Sequence, residues 1–315
     1  MSETAMPVFQ FSGHETFPLR QLWLMKAVNY AHQSITSSKK SPVFSGENAM
    51  LALGVGKNMV SSIAYWAKAA DFLKNDGTPT VVADLIFGNP INNVEALDPW
   101  GESANTAWLV HWNLASSEEK CTAFWYAFNY ETKAQFTRQE LLDEISEFVS
   151  RRGHKPSALT IKRAVEVLLR SYLPNIACRS KSVSEEFVDP LLGDLGLLQS
   201  KSRDIFTMER RARPTLSPAL FAYCLLDYWM KHASESASLD FTKVMHDVGS
   251  PGKIFRLDEN SVVRYLDQIS RENIAHGTIL WSDQAGIRSL IRRGDTLTNP
   301  EAMLHFFLRK AYSQE

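Results

Sequence analysis

Four side chains in the first third of this 315-residue chain could work on a phosphodiester: the adjacent pair His14 and Glu15, and the pair Asp98 and Glu102. Hydrolysis of such a bond needs carboxylates that hold a hard divalent ion, which activates water and neutralises charge on the scissile phosphate. An imidazole beside them can carry the proton. These four are the candidate catalytic residues, with Glu15 and Asp98 the candidate ligands of a Mg2+ ion. Each also has a plain structural use, since Glu15 can cap a helix starting near Pro18 and Asp98-Pro99 can make a turn. Asp98 upstream of Glu118-Glu119-Lys120 imitates the acid, then acid-x-lysine, order of restriction nucleases. Ser116 or Ser117 ahead of two glutamates, however, reads as the first turn of a helix rather than a strand edge. His111, set among tryptophans, reads as a core histidine.

The second chemical signal is charge. Net charge is −1, yet residues 151–181 hold Arg151, Arg152, Lys155, Lys162, Arg163, Arg170, Arg179 and Lys181 against the single acid Glu166, a local balance of +7. Lys201 and Arg203 follow on an expected hairpin tip, and Arg210, Arg211 and Arg213 lie just beyond. Phosphates are met by Lys and Arg gathered on one surface, so this segment is the candidate grip on a nucleic-acid backbone. A helix starting at Lys57 offers Asn58, Ser61, Tyr65 and Lys68, polar side chains able to reach base edges or stack on bases. Gly54-Val55-Gly56-Lys57-Asn58 is not a nucleotide-triphosphate loop, because Leu51 stands where its first glycine belongs and Asn58 where Ser or Thr belongs.

These residues must be positioned by elements that the pattern predicts to be mainly α-helical with short β wings, in several winged helix-turn-helix-like modules. Pro18 predicts the start of a first helix carrying Leu19, Leu22, Trp23 and Lys26. Ser45 caps a short helix to Leu53, which Gly54 stops, and the helix from Lys57 buries Met59, Ile63, Trp66, Ala70 and Leu73. Thr80 to Ile86 has the composition of a strand, the wing of that first helix-turn-helix. Trp108, Trp112, Phe124, Trp125, Tyr126, Phe128 and Tyr130 form the core of the first module, residues 1–130.

Thr137 with Glu140 is a capping box for an acidic helix to Val149, and Ser157 caps a basic helix to Leu173 that buries Ile161, Ala164, Val165, Leu168 and Tyr172. Residues 197–199 and 204–208 form a wing, completing a basic module over 131–232. The polar stretch Ala233 to Ser238 predicts a linker to a helical module over 250–315. There Asp258 caps a helix to Ser270, Thr278 to Trp281 makes a short strand, and Ser282 or Asp283 caps a helix bearing Arg288, Arg292 and Arg293. Hydrophobic residues at 44% and charged residues at 22% suit a soluble chain, and the N-terminus lacks the pattern of a secretory signal, so the expected location is cytoplasmic with no membrane contact. Cys121, Cys178 and Cys224 are too few and too scattered for a zinc ribbon or a disulfide framework.

Three blocks are long and unusual enough to be specific: Phe11-Ser12-Gly13-His14-Glu15-Thr16-Phe17-Pro18-Leu19-Arg20, Leu53-Gly54-Val55-Gly56-Lys57-Asn58-Met59, and Asp98-Pro99-Trp100 with Trp108-Leu109-Val110-His111-Trp112. Together they resemble the N-terminal signature of a bacterial family first catalogued only as a domain of unknown function, the SspB-type nicking components of single-stranded DNA phosphorothioation. The resemblance covers the first 115 or so residues. It implies a DNA nicking endonuclease in phosphorothioate modification and phage defence, working with a cysteine desulfurase, an ATPase and a sulfur-transfer protein. This chain shows no recognised nuclease motif, so a noncatalytic winged-helix adaptor that positions the sulfur-transfer machinery on DNA stands beside that expectation. A ligand-binding transcription regulator would in addition require a symmetric dimer.

Overall fold

The computed structural model describes residues 9–36, 44–173, 190–271, 274–284 and 286–313, and groups the chain into two compact units. The first holds residues up to 102 and 113–208, and the second holds 103–112 and 209–315. This grouping differs from the expected succession of modules over 1–130, 131–232 and 250–315. Among the described residues no helix is long and apolar enough to cross a membrane.

In chain order the elements begin with α1 (Trp23–Thr36), α2 (Gly46–Leu53), α3 (Lys57–Ala69), α4 (Val81–Phe87) and α5 (Ala104–Ala115). They continue with α6 (Thr122–Asn129), β1 (Gln135–Thr137), α7 (Arg138–Arg151), α8 (Ala158–Tyr172), β2 (Gln199–Ser202) and β3 (Ile205–Thr207). Several starts and stops follow from local chemistry. Gly54 ends α2 in the left-handed conformation at φ 67°, Thr137 and Glu140 close a capping box on α7, and the Ser157 hydroxyl accepts from the Thr160 amide at the start of α8.

Two elements of this stretch differ from expectation. The first helix starts at Trp23, not at Pro18, because residues 14–17 turn back on themselves and Arg20 pairs in extended form with Pro190. Residues 81–87 are helix α4 rather than a wing strand: Thr80 accepts from the Ala83 amide as an N-cap, and Asp84 stands in the first turn.

The first unit's core is aromatic and aliphatic. Trp66, Phe72, Phe124, Phe128, Phe136 and Tyr172 are fully buried, with Phe124 and Phe128 both packed on Tyr172. All five residues expected to face inward from α8 do so. The expected hairpin over 199–207 is present, and its second strand also pairs with β1, giving the antiparallel order β1-β3-β2 with Phe136 opposite Phe206. The chain therefore runs helix, strand, two helices and a hairpin, with the first strand added to the hairpin's last.

The second unit follows a similar order, with three helices rather than two between its first strand and its hairpin. It holds α9 (Pro218–Ala233), β4 (Ser238–Asp240), α10 (Phe241–His246), α11 (Pro251–Ile254), α12 (Glu259–Arg271), β5 (Ile279–Gln284) and β6 (Ile287–Arg292), then α13 (Asp295–Thr298) and α14 (Pro300–Tyr312). Its sheet order is β4-β6-β5, again first strand on last. Trp108 and Trp112, expected in the first module's core, belong to this unit: Trp112 donates to Asp227 at 2.8 Å and both rings meet Phe255.

The expected linker over 233–238 instead connects α9 to β4 inside this unit, where Trp229 and Arg292 donate to the Ser236 carbonyl. Residues expected as a helix bearing Arg288 and Arg292 form strand β6, because Gly286 at φ 80° lets the chain reverse and Arg288 ties back across the hairpin to Asp283. Asp258 caps α12 as expected, accepting from the Ser261 amide.

Candidate phosphate-facing cleft of the first unit

The chain from Gly13 to Phe17 makes a tight turn. Glu15 and Thr16 both take left-handed backbone angles, φ 48° and 65°, and the Phe17 amide donates to the His14 carbonyl at 2.8 Å. Adjacent non-glycine residues at positive φ are uncommon and hold energy that the surroundings must offset. Here the surroundings are specific. The His14 Nδ1 accepts from the Thr16 amide at 3.1 Å, Ser62 donates to the His14 carbonyl at 2.9 Å, and the Trp66 indole donates to the Phe17 carbonyl at 3.0 Å. Gly13 sits at φ 107° with the Tyr65 ring so close that a Cβ would lie 2.5 Å from it. The left-handed angle and the ring together require glycine there.

That turn forms one wall of a cleft of about 320 Å3. Ser12, His14, Glu15 and Thr16 line it from the signature, Asn58 from the first turn of α3, and Thr160 and Arg163 from α8. Two predictions made from distant parts of the sequence thus meet, since Glu15 and Arg163 border the same space. Arg170 binds the turn directly, donating to the Thr16 carbonyl at 3.1 Å. Lys155, Lys162 and Arg163 are exposed and have no ion pair or hydrogen-bond partner among the described residues.

Other expected basic groups are differently placed. Arg151 pairs with Glu147 at 2.5 Å, and Arg152 pairs with Glu118 while lying over the Phe148 ring. Glu118 itself lies in a turn ahead of α6, not in a helix. Lys201 and Arg203 are exposed at the hairpin, and Arg179, Lys181 and Cys178 fall outside the described residues. Arg213, only 2% exposed, is not a surface cation.

The remaining site residues divide. His14 is buried, its Nε2 has no hydrogen-bond partner and no solvent contact, and burial lowers its pKa, so it is a neutral imidazole whose Nδ1 holds the turn. Asp98 is 6% exposed and holds a turn of its own, its Oδ1 accepting from the Glu102 amide at 3.0 Å. Neither Asp98 nor Glu102 lines the cleft.

Among the described residues, no three His, Cys, Asp or Glu side chains gather closely enough to hold a metal, so these four do not form such a group. A Mg2+ ion demands near-octahedral oxygen ligands, and the cleft supplies one carboxylate with an arginine beside it. These residues do not fit a protein-built magnesium cage.

On α3, Lys57, Asn58 and Ser61 are exposed, whereas Tyr65 donates its hydroxyl to the Lys120 carbonyl and Lys68 donates to the Asn75 carbonyl. Sequence reasoning missed Ser12, Thr16 and Thr160 as lining groups. The signal for Thr160 was its place three residues after the Ser157 cap, on the turn that leads into Lys162 and Arg163. His111 is the satisfied core histidine expected, with no exposure, its Nε2 2.9 Å from the Ile254 carbonyl and its pKa pushed down to about 3 by burial.

Residues 11–308 match a family model described as "Protein of unknown function (DUF4007)". The SspB crystal structure shares the fold at a TM-score of 0.80 and 23% identity, over 99% of this chain and 95% of that one. A magnesium ion-bound SspB crystal structure does so at 0.77 and 23%, over 97% and 92%. No curated protein matches the chain in sequence.

Proposed function

Since this chain belongs to the DUF4007 family, we propose that it is the SspB-like DNA-binding component of a bacterial phosphorothioation system, and that it nicks one strand of DNA. The observation that carries this reading is the cleft in which the strained signature turn, the first turn of α3 and the basic face of α8 meet. A polyanion is held by unpaired cations with helix amides and hydroxyls between them, and Arg163, Lys162, Thr160, Ser12 and the start of α3 supply that set. Glu15, exposed on the same wall, is the one carboxylate there that can reach a bound phosphodiester or the water attacking it. His14 and Asp98 act as positioning residues, fixing the turns on which the signature is built.

We read the order α6-β1-α7-α8-β2-β3 as a winged-helix-like module, a reading supported by the helix pair followed by an antiparallel hairpin. In this reading α8 is the helix offered to DNA, and the hairpin carrying Lys201 and Arg203 is the wing. Phosphate contacts position DNA without specifying sequence, so base readout falls to Asn58 and Ser61 on α3. The desulfurase, ATPase and sulfur-transfer protein implied by family resemblance are the proposed partners, and the cytoplasm the proposed location.

One observation favours a second reading, a noncatalytic adaptor: the missing group of metal-ligating side chains among the described residues. Conversion of supercoiled plasmid to open circle, with and without Mg2+, separates the two. The nickase reading expects open circle from the parent protein and little or none from Glu15→Gln at unchanged DNA affinity. Equal nicking by both proteins removes Glu15 from the chemistry, and no nicking by the parent under any condition leaves the adaptor.

A further inference from the structure

The turn between α2 and α3 leaves apolar side chains facing solvent, on a part of the first unit that the cleft does not use. Leu51, in the last turn of α2, is 81% exposed, more than any other large hydrophobic residue among those described. Met50 and Val55 beside it and Met59 from α3 are half-buried, and together they line an apolar groove of about 730 Å3. Apolar groups scattered singly over a surface are ordinary, whereas several gathered at one exposed place mark a binding site.

Gly56 adds an observation of a different kind. It starts α3 at φ −70° and ψ 164°, angles open to any residue, and nothing lies within 4 Å of a Cβ placed on it. Neither the backbone nor the packing therefore calls for glycine. A serine or aspartate there would close the helix start with a side-chain hydrogen bond that glycine leaves out. A missing Cβ on an exposed turn keeps the backbone open to close approach by a ligand.

Size and position choose the occupant. The described residues lining the groove number seven, against about 20 to 30 a side in a stable protein interface, so a small flat group suits it better than a protein face. The volume is that of a small-molecule site, about 300 to 1,000 Å3. The first turn of α3 borders both this groove and the phosphate-facing cleft: Gly56 and Met59 line the groove, and Asn58 lines the cleft. These residues lie within one helical turn, about 5 Å along α3, which is the scale of one nucleotide step. Lys57, among them, is exposed, and its ammonium has no partner among the described residues. A strand held by its phosphates in the cleft thus passes a free cation and then an apolar recess.

We propose that the groove receives one unstacked nucleobase of the DNA whose backbone the cleft holds, with the flat face of the base against Leu51 and the methionine sulfurs. Thioethers pack well on aromatic rings, and a base taken out of its stack needs an apolar surface to replace its neighbours. The inference rests on the reading of this chain as a DNA-binding protein. Binding of the full chain to a short duplex carrying the fluorescent base 2-aminopurine, which brightens when it leaves the stack, tests it.

The parent protein is expected to brighten the probe. Leu51→Gln, at an exposed position, and Gly56→Ala, at a position with room for a methyl, are expected to brighten it less and to bind about tenfold more weakly, the scale of one base contact. Their slope of log affinity against log salt stays that of the parent, because no phosphate contact is removed. Equal brightening and equal affinity in parent and variants overturn the groove and leave the cleft standing. Absence of any DNA binding by the parent overturns the DNA-binding reading and this inference with it. Self-association of the parent that Leu51→Gln abolishes, with brightening unchanged, assigns the groove to a second copy of the chain and overturns the base. Should the variants not fold, oxidation of the parent by hydrogen peroxide followed by mass spectrometry answers the same question. Met50 and Met59 are then protected by duplex if a base covers them, and equally oxidised with and without duplex if none does.

Discussion

Replacing Gly13 by alanine isolates the most constrained point of the signature. At φ 107° an alanine leaves its comfortable backbone range, which costs about 1 to 2 kcal/mol. The new methyl would also stand 2.5 Å from Cδ2 and 3.1 Å from Cε2 of Tyr65. That ring has little freedom to withdraw, since its hydroxyl is bonded to the Lys120 carbonyl and it packs edge-to-face with Trp66. Overpacking of this kind adds about 1 to 3 kcal/mol, for a total of roughly 2 to 5.

Gly54→Ala is the internal control, because it has a positive φ of 67° with nothing within 4 Å of the added methyl. Urea unfolding of the two variants, at equal slope, separates the steric part as the excess of Gly13→Ala over Gly54→Ala. Tyr65→Ala combined with Gly13→Ala removes the ring, and the pair is expected to cost less than the sum of the single changes. An excess near zero, or strict additivity in the double variant, refutes the argument that the ring fixes this turn.

Other expectations follow from the same geometry. His111 has a folded-state pKa of about 3 against 6.5 when unfolded, so the unfolded chain binds the proton first. Stability is therefore full above about pH 6.5 and falls as pH drops toward about 3, by an amount on the order of a few kcal/mol. His14, also lowered by burial, adds in the same direction. A His111→Gln protein should show a flatter stability profile between those pH values in denaturant titrations, and an identical slope contradicts the burial argument. Thr137→Ala opens the capping box of α7 and should cost about 1 kcal/mol by urea unfolding, whereas Thr298→Ala, exposed outside any cap, should cost a few tenths.

Helix ends were the part of the fold most legible in the sequence. Gly54, Thr137 with Glu140, Ser157 and Asp258 act through bonds to residues within four positions, so local spacing contains the information. Short apolar runs were not legible in the same way. Val81 to Phe87 is as compatible with a strand as with a helix, and only the Thr80 cap decides it. Ser282 and Asp283 look like caps, yet they face Arg288 and Ser289 across a hairpin, and that pairing is tertiary.

The shared strand order of the two units, first strand on last, was hidden because it lies in topology and not in residue identity. The candidate site shows the same division. Its signature turn and its basic helix were each visible alone, but their meeting at Glu15 and Arg163 depends on packing between α3, α8 and the signature. Asp98, chemically an equal candidate, is committed to the turn that Asp98-Pro99 offered as its structural use, its carboxylate accepting from the Glu102 amide.

The central claim is that the exposed cations of α8 beside the signature turn hold DNA by its phosphates. Duplex affinity measured at several salt concentrations for the parent and for Lys162→Gln with Arg163→Gln tests it most directly. Loss of about 0.9 in slope for each contact removed, with weaker binding to every sequence tested and unchanged thermal stability, is the expected result. An unaltered slope and affinity in a folded variant would contradict it.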